Sequence, residues 1–153
     1  MKIESVHIEN FRSFQNETIF FDDCTCLVGP NGGGKSTVLC ALNVFFRETE
    51  NSTTDVVNLS AEDFHKKNTS TPILIRVTFV DLGAEAEADF MDYVRQGKLI
   101  ISSESTFDSA LNKAESKQYG QRLGMDEFRV YFEATKAGKP AANLKDIYKL
   151  LRD

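Results

Sequence analysis

Residues 29–36 read Gly29-Pro30-Asn31-Gly32-Gly33-Gly34-Lys35-Ser36, which satisfies the spacing G-x-x-x-x-G-K-[ST]. A polyphosphate needs many donors held close together. Gly29, Gly32, Gly33 and Gly34 let the backbone bend so that successive N–H groups point inward without Cβ clashes, with Asn31 at the turn of the loop. The positive end of a helix starting after the loop adds to the attraction. Lys35 is placed to reach the β- and γ-phosphates, the Ser36 hydroxyl to ligate Mg²⁺, and the Thr37 hydroxyl or amide to reach the α-phosphate. The pattern predicts ATP and Mg²⁺ as ligands. Its bland alternative is a glycine-rich turn beside a surface lysine, and the flanking elements decide between the two.

Those elements are legible on both sides. Cys24 to Val28 is largely apolar and runs straight into Gly29, which predicts a central strand buried on both faces. Val38, Leu39, Ala41, Leu42, Phe45 and Phe46 recur at three- and four-residue spacing, predicting an amphipathic helix from about Lys35 to Arg47. Upstream, Ile3, Val6, Ile8 and Phe11 alternate with polar residues as in a half-buried strand, and Thr18 to Phe21 reads as a second. Downstream, the polar stretch Glu48 to Ser60 reads as a mobile surface loop, Ile73 to Leu82 as a strand, Ala84 to Arg95 as a helix and Lys98 to Thr106 as a strand. From Ser109 to Asp153 the pattern is helical and more basic, with Leu144, Ile147, Tyr148 and Leu151 on one face and Asn143 placed to cap it.

Composition limits what surrounds the loop. With 153 residues there is room for one core, and 12 Phe residues supply large apolar side chains. Eighteen Lys plus Arg against 23 Asp plus Glu give a net charge of -5, which excludes a chain that coats nucleic acid over its whole surface. Three cysteines, an odd count, fit a reducing compartment, and no run approaches membrane-spanning length, so a soluble cytoplasmic protein without membrane partners is expected.

The residues around the loop resemble a known group. Ile3 to Phe14 (IESVHIENFRSF), the short strands, GPNGGGKST and the apolar helix after it resemble the N-terminal lobe of ABC-type ATPases that include RecF and the SMC proteins. Within that group, LSAEDFH at Leu59 to His65, followed by the Ile73 to Leu82 strand, looks most like the OLD (overcoming lysogenisation defect) family. The resemblance implies an ABC-type P-loop NTPase fold: α/β, with a mixed sheet and a helical C-terminal segment. It divides the chain into an N-terminal lobe over residues 1–108 and a helical segment of the same domain over residues 109–153. It further implies ATP hydrolysis by a homodimer of ATPase domains, a Toprim nuclease domain beyond it, and DNA as a partner of the complete protein. Arg12 matches an arginine that in such ATPases lies near the bound nucleotide, against the plainer reading of a surface arginine after a strand.

Departures from that pattern are equally informative. No Gln loop, signature motif or Walker B strand ending in a catalytic Glu is found; Val80-Asp81-Leu82 has an acid but neither the long apolar run nor the following Glu. The 153 residues therefore read as an N-terminal piece of a longer chain. Asp63 and His65 read more simply as a helix-start acid and a solvated histidine than as groups near the nucleotide. Cys24 and Cys26 have no second ligand pair and read as small buried hydrophobes. Lys136, Lys139, Lys145, Lys149 and Arg152 are interleaved with Asp146 and Asp153, which favours a solvated helix face over a DNA patch. Two alternative functions stay open: a nucleotide-sensing module that binds without hydrolysis, and a small P-loop kinase, whose arginine-rich lid the tail does not offer.

Overall fold

Period-two alternation builds the sheet. In β3 (Ile73–Val80), Ile73, Ile75, Val77 and Phe79 are buried and the residues between them half-buried. β1 (Lys2–Phe11) lies antiparallel beside it with Val6 opposite Val77 and Ile8 opposite Ile75, so the apolar sets of both strands share one face. β2 (Phe14–Phe20) pairs the other edge of β1, while β4 (Leu99–Asp108) and β5 (Lys113–Gly120) extend the sheet beyond β3. The order is β2-β1-β3-β4-β5.

The computed structural model describes residues 1–49, 58–120, 129–138 and 140–152. It divides into Met1–Gln121 and Arg122–Asp153. In the first unit, α1 (Lys35–Phe46) buries Val38, Cys40, Ala41, Val44 and Phe45. The Phe45 ring lies 6.3 Å from that of Phe79 on the sheet, and Phe64 meets Phe107 edge-on at 5.6 Å. Phe11, Phe64, Leu59, Ile8 and Ile75 are fully buried in the same cluster, each stabilising the fold by about 1.5–3 kcal/mol. α1 stops at Arg47, whose left-handed backbone (φ +55°) turns its N–H back to the carbonyls of Asn43 and Val44. A short helix, α2 (Ala84–Asp89), precedes β4. In the second unit, α3 (Arg129–Lys136) and α4 (Ala141–Arg152) form a helical hairpin in which Tyr131 meets Tyr148 at 5.9 Å.

The α/β class holds, and six expectations are corrected. The sheet is antiparallel throughout rather than mixed among the described residues. Cys24 to Val28 is not a central strand: it has no ladder, Val28 is 88% exposed, and Cys24 and Cys26 are exposed rather than buried. The path explains this. Phe21 still hydrogen-bonds Glu4 near the start of β1, whereas Gly34 lies against Phe14 at the other end of β2, so the segment between retraces the sheet's length without pairing. Lys113–Gly120 is a strand inside the stretch read as helical; its helix-forming residues yield to eight cross-strand partners in β4 and to the Ala114 N–H to Leu59 carbonyl bond. Leu59 is correspondingly buried rather than part of a mobile surface loop, most of which falls on residues 50–57, outside the described ones. The helix read to Arg95 ends at Asp89, and Gln96 and Gly97, both at positive φ, close a turn before β4. Asn143 lies within α4, which begins at Ala141, and does not cap it.

Because Ile75 is fully buried at the centre of β3, Ile75→Ala removes packed methyl groups and leaves a cavity. The expected loss is about 2–5 kcal/mol by urea unfolding, and a loss below 1 kcal/mol would show that this face is not the core.

Candidate nucleotide-binding site

The turn between β1 and β2 grips the start of α1. Gly34 precedes the helix at φ +87°, a conformation that suits glycine, and it is buried. A Cβ there would stand 2.7 Å from Phe14 Cζ and 3.3 Å from Ser13 Oγ. Ser13 Oγ also donates to Thr37 Oγ1 at 3.1 Å. Gly32 is left-handed as well, at φ +84°, and the Gly33 N–H turns back to the Pro30 carbonyl at 3.1 Å. The first helical bond runs from the Val38 N–H to the Gly34 carbonyl, so the N–H groups of Lys35, Ser36 and Thr37 fall in the first turn, which has no intrahelical acceptors to offer them. No acidic residue stands in that turn to oppose an anion.

Gly29, Asn31, Gly32, Gly33 and Ser36 are exposed, while Lys35 and Thr37 are half-buried. Lys35 Nζ donates to the carbonyls of Gly29 and Pro30, both at 2.7 Å. The ammonium thus spans the loop and must exchange carbonyl oxygens for phosphate oxygens to engage a ligand. The structure brings together all the loop residues read from the sequence. A loop of exposed glycines, an ammonium across it and hydroxyls at the helix start fit a triphosphate. Ser36 is the protein ligand available for Mg²⁺, with nucleotide oxygens and water left to complete its shell.

Arg12 is not a surface residue. Its side chain is about a third exposed, its Nε and Nη2 donate to Asp63 Oδ1 at 3.0 and 2.8 Å, and its Nη1 donates to Cys40 Sγ on α1 at 3.2 Å. Asp63 is the helix-start acid read from the sequence: with Ser60 it forms a capping box on the turn Ala61–Asp63. His65 is not simply solvated, because its Nδ1–H donates to the Arg12 carbonyl at 2.8 Å. The sequence reading named Asp63 and His65 but missed their link to Arg12, as well as the contacts of Ser13, Phe14 and Cys40. The available signal was the glycine at position 34 itself, a residue type that permits positive φ and a close neighbour.

Asp81 is excluded from this site. It follows Val80, which pairs with Lys2, and forms an ion pair with Lys2 at 3.5 Å. The loop adjoins the Phe11 end of β1, roughly 30 Å away at ~3.3 Å per residue. Among the described residues no cluster of three metal-ligating His, Cys, Asp or Glu side chains occurs, and no helix is long and apolar enough to cross a membrane. Lys145 and Lys149 are exposed on α4 beside exposed Asp146; the side chains of Lys136, Lys139 and Arg152 lie outside the described residues.

A glycine loop of this geometry feeding a helix beside an antiparallel sheet defines the class: an α/β lobe of the P-loop NTPase type. The AAA ATPase domain model matches residues 1–153, and the chain belongs to that family. It is similar to the chromosome partition protein Smc of Halobacteriovorax marinus, 31% identical over 155 residues, covering 100% of this chain and 11% of that protein. It is also similar to the structural maintenance of chromosomes protein 6 homolog of Caenorhabditis elegans, at 29% over 112 residues, covering 69% of this chain and 9% of that one. With structural maintenance of chromosomes protein 1B of Mus musculus it shares 31% over 101 residues, 62% of this chain and 8% of the relative. The chain thus spans about a tenth of the curated relatives it matches. Family and relatives together support an ATP-binding, ABC-type ATPase lobe.

The cradle makes a contrast between two glycines. Gly34→Ala forces a Cβ against Phe14 and strains a left-handed backbone, whereas a Cβ at Gly29 meets nothing within 4 Å. Gly34→Ala is expected to lower stability by about 1–3 kcal/mol and to weaken ATP binding, with Gly29→Ala near wild type in stability. Chemical denaturation of the two variants checks this, and equal stability would refute the grip of Phe14 on the loop.

Proposed function

We propose that Gly29 to Thr37 bind MgATP, with Lys35 on the β- and γ-phosphates, Ser36 on Mg²⁺ and Arg12 supplying a second fixed cation near the phosphates. The observation that carries this reading is the cradle: Gly34 at positive φ under Phe14, with Lys35 Nζ already held across the loop. A cation held within a part-buried network costs little reorganisation when phosphate charge arrives.

In the complete protein this lobe forms a homodimer, hydrolyses ATP between its two copies and controls a DNA-processing activity of the OLD, Toprim-nuclease type. Support for DNA comes from relatives named for chromosome partition and maintenance; support for the OLD type comes from LSAEDFH at Leu59 to His65. A sensing module that binds ATP without hydrolysing it is the second reading. It is favoured by one observation: Asp63, the carboxylate bonded to the site's own Arg12, is fully engaged by Arg12 and Ser60 and is not free to activate water.

Two measurements test the site and its chemistry. Lys35→Ala is expected to weaken MgATP binding at least tenfold by calorimetry, about 1.4 kcal/mol, with the melting temperature unchanged because the side chain packs in no core. Unchanged affinity would sink the nucleotide site. Phosphate release by the purified 153-residue chain is expected to stay at background, since phosphate-loop contacts hold substrate and transition state alike. Turnover that disappears in Lys35→Ala would place a catalytic acid within these residues and exclude the sensing reading for this chain.

A further inference from the structure

Arg12 adopts φ +48°, a left-handed backbone that a non-glycine residue holds only when its surroundings fix it. Here both of its backbone groups are tied to one segment. Its N–H donates to the Asp63 carbonyl at 2.8 Å, and its carbonyl accepts from His65 Nδ1–H at 2.8 Å. The neighbouring Phe11 forms a bridge with Phe64. The side chain is fixed by the same segment: Asp63 Oδ1 receives Nε and Nη2, while Asp63 Oδ2 receives the Ser60 N–H at 3.0 Å and the Ser60 hydroxyl at 3.3 Å. Asp63 is thereby locked on both oxygens and is only 13% exposed in its side chain. On the far side, Arg12 Nη1 reaches Cys40 Sγ. Cys40 lies four residues after Ser36 and three after Thr37, on the same face of α1 and about one turn, ~5.4 Å, below them.

We propose that Asp63 is a positioning residue for the nucleotide site: through Arg12 it sets where a fixed positive charge stands relative to the triphosphate of MgATP. This rests on the reading that Gly29 to Thr37 hold MgATP and that Arg12 acts on its phosphates. The segment Ser60–His65 then serves as a rigid bracket. It fixes the backbone of the β1–β2 turn, whose next two residues, Ser13 and Phe14, contact Thr37 and Gly34. A carboxylate whose second oxygen is held by a capping box cannot rotate with the guanidinium, so the arginine keeps one geometry before and after ligand arrives.

The test is a double-mutant cycle on MgATP affinity, measured by calorimetry on the purified protein, with Asp63→Asn, Arg12→Ala and the pair. Asp63→Asn is expected to weaken MgATP roughly three- to tenfold in the wild-type background and to have no further effect once Arg12 is alanine. Ser60→Ala removes the hydroxyl held on Asp63 Oδ2 and leaves the Ser60 N–H contact in place, so it is expected to lower the melting temperature and to weaken MgATP by less than Asp63→Asn does. Should Asp63→Asn not fold, Asp63→Gln takes its place, since an N3 amide oxygen can still accept from the Ser60 N–H but carries no charge to pair with the guanidinium. Unchanged affinity in Asp63→Asn, or the same weakening with and without Arg12, overturns the positioning role. Lys35→Ala separates this failure from that of the site itself. If Lys35→Ala abolishes binding and Asp63→Asn does not weaken it, the positioning role alone falls; if Lys35→Ala leaves binding intact, both fall.

Discussion

The contact between half-buried Phe14 and buried Gly34 is the constraint on which the site depends. It fixes where α1 begins, because no Cβ fits between the ring and the loop. It also fixes the loop's curvature, because Gly34 must then take a left-handed backbone that turns the first helical N–H groups outward. Since Phe14 opens β2 and Phe11 closes β1, the placement of the phosphate cradle is inherited from the register of that hairpin, where Phe11 opposes Phe14. The register is in turn held by the alternation that buries Val6 and Ile8 against β3. A one-residue slip would turn the apolar set to the other face, and the core could not form.

A glycine loop is permissive by nature, and permissiveness alone gives no defined site. Order comes from within the loop and from outside it. Lys35 bridges the carbonyls of Gly29 and Pro30, while from outside Ser13 ties Thr37 and Arg12 joins α1 to Asp63. These are polar contacts near the surface, individually worth on the order of 1 kcal/mol. Their effect lies in geometry: the groups that meet phosphate are held by neighbours that are themselves anchored in the core at Phe11 and Phe64.

What could be read from the sequence follows the range of the interactions concerned. The loop and α1 are local, so eight consecutive residues and a 3.6-residue stripe were enough to place them, along with β1, β3 and β4. Cys24 to Val28 misled because an apolar run states a preference for burial and not the existence of a partner; with no strand paired to it among the described residues, the segment leaves all but half-buried Leu27 exposed. Lys113–Gly120 misled in the opposite way. Its Lys, Glu and Gln suit a helix, yet β4 offers a complete antiparallel edge, and cross-strand pairing outweighs propensities of a few tenths of a kcal/mol. The link between Arg12 and Asp63 spans 51 residues. Both residues were named from the sequence, but no local pattern joins an arginine in a strand-end turn to an acid in a capping box.

This separation between local and distant interactions also divides binding from catalysis. The groups proposed to hold phosphate in the loop, its N–H groups and Lys35, are positive or dipolar, and such groups attract a bound triphosphate about as well as the transition state that follows it. Acceleration requires a group that gains interaction only as the bond to the γ-phosphate breaks: an acceptor aligned on attacking water, or a cation placed on the charge that spreads over the equatorial oxygens. Asp63 is spent on Arg12 and Ser60, and Asp81 stands at the other end of the sheet. On the proposed reading Arg12 is the group of this network that discriminates between the two states, its guanidinium being fixed in direction by Asp63. An arginine so restrained is of most use to the state whose charge lies nearest its fixed position. The Ser60–His65 bracket thus fixes the direction of a guanidinium that joins the β1–β2 turn to α1, and that fixed direction is what the proposed reading uses.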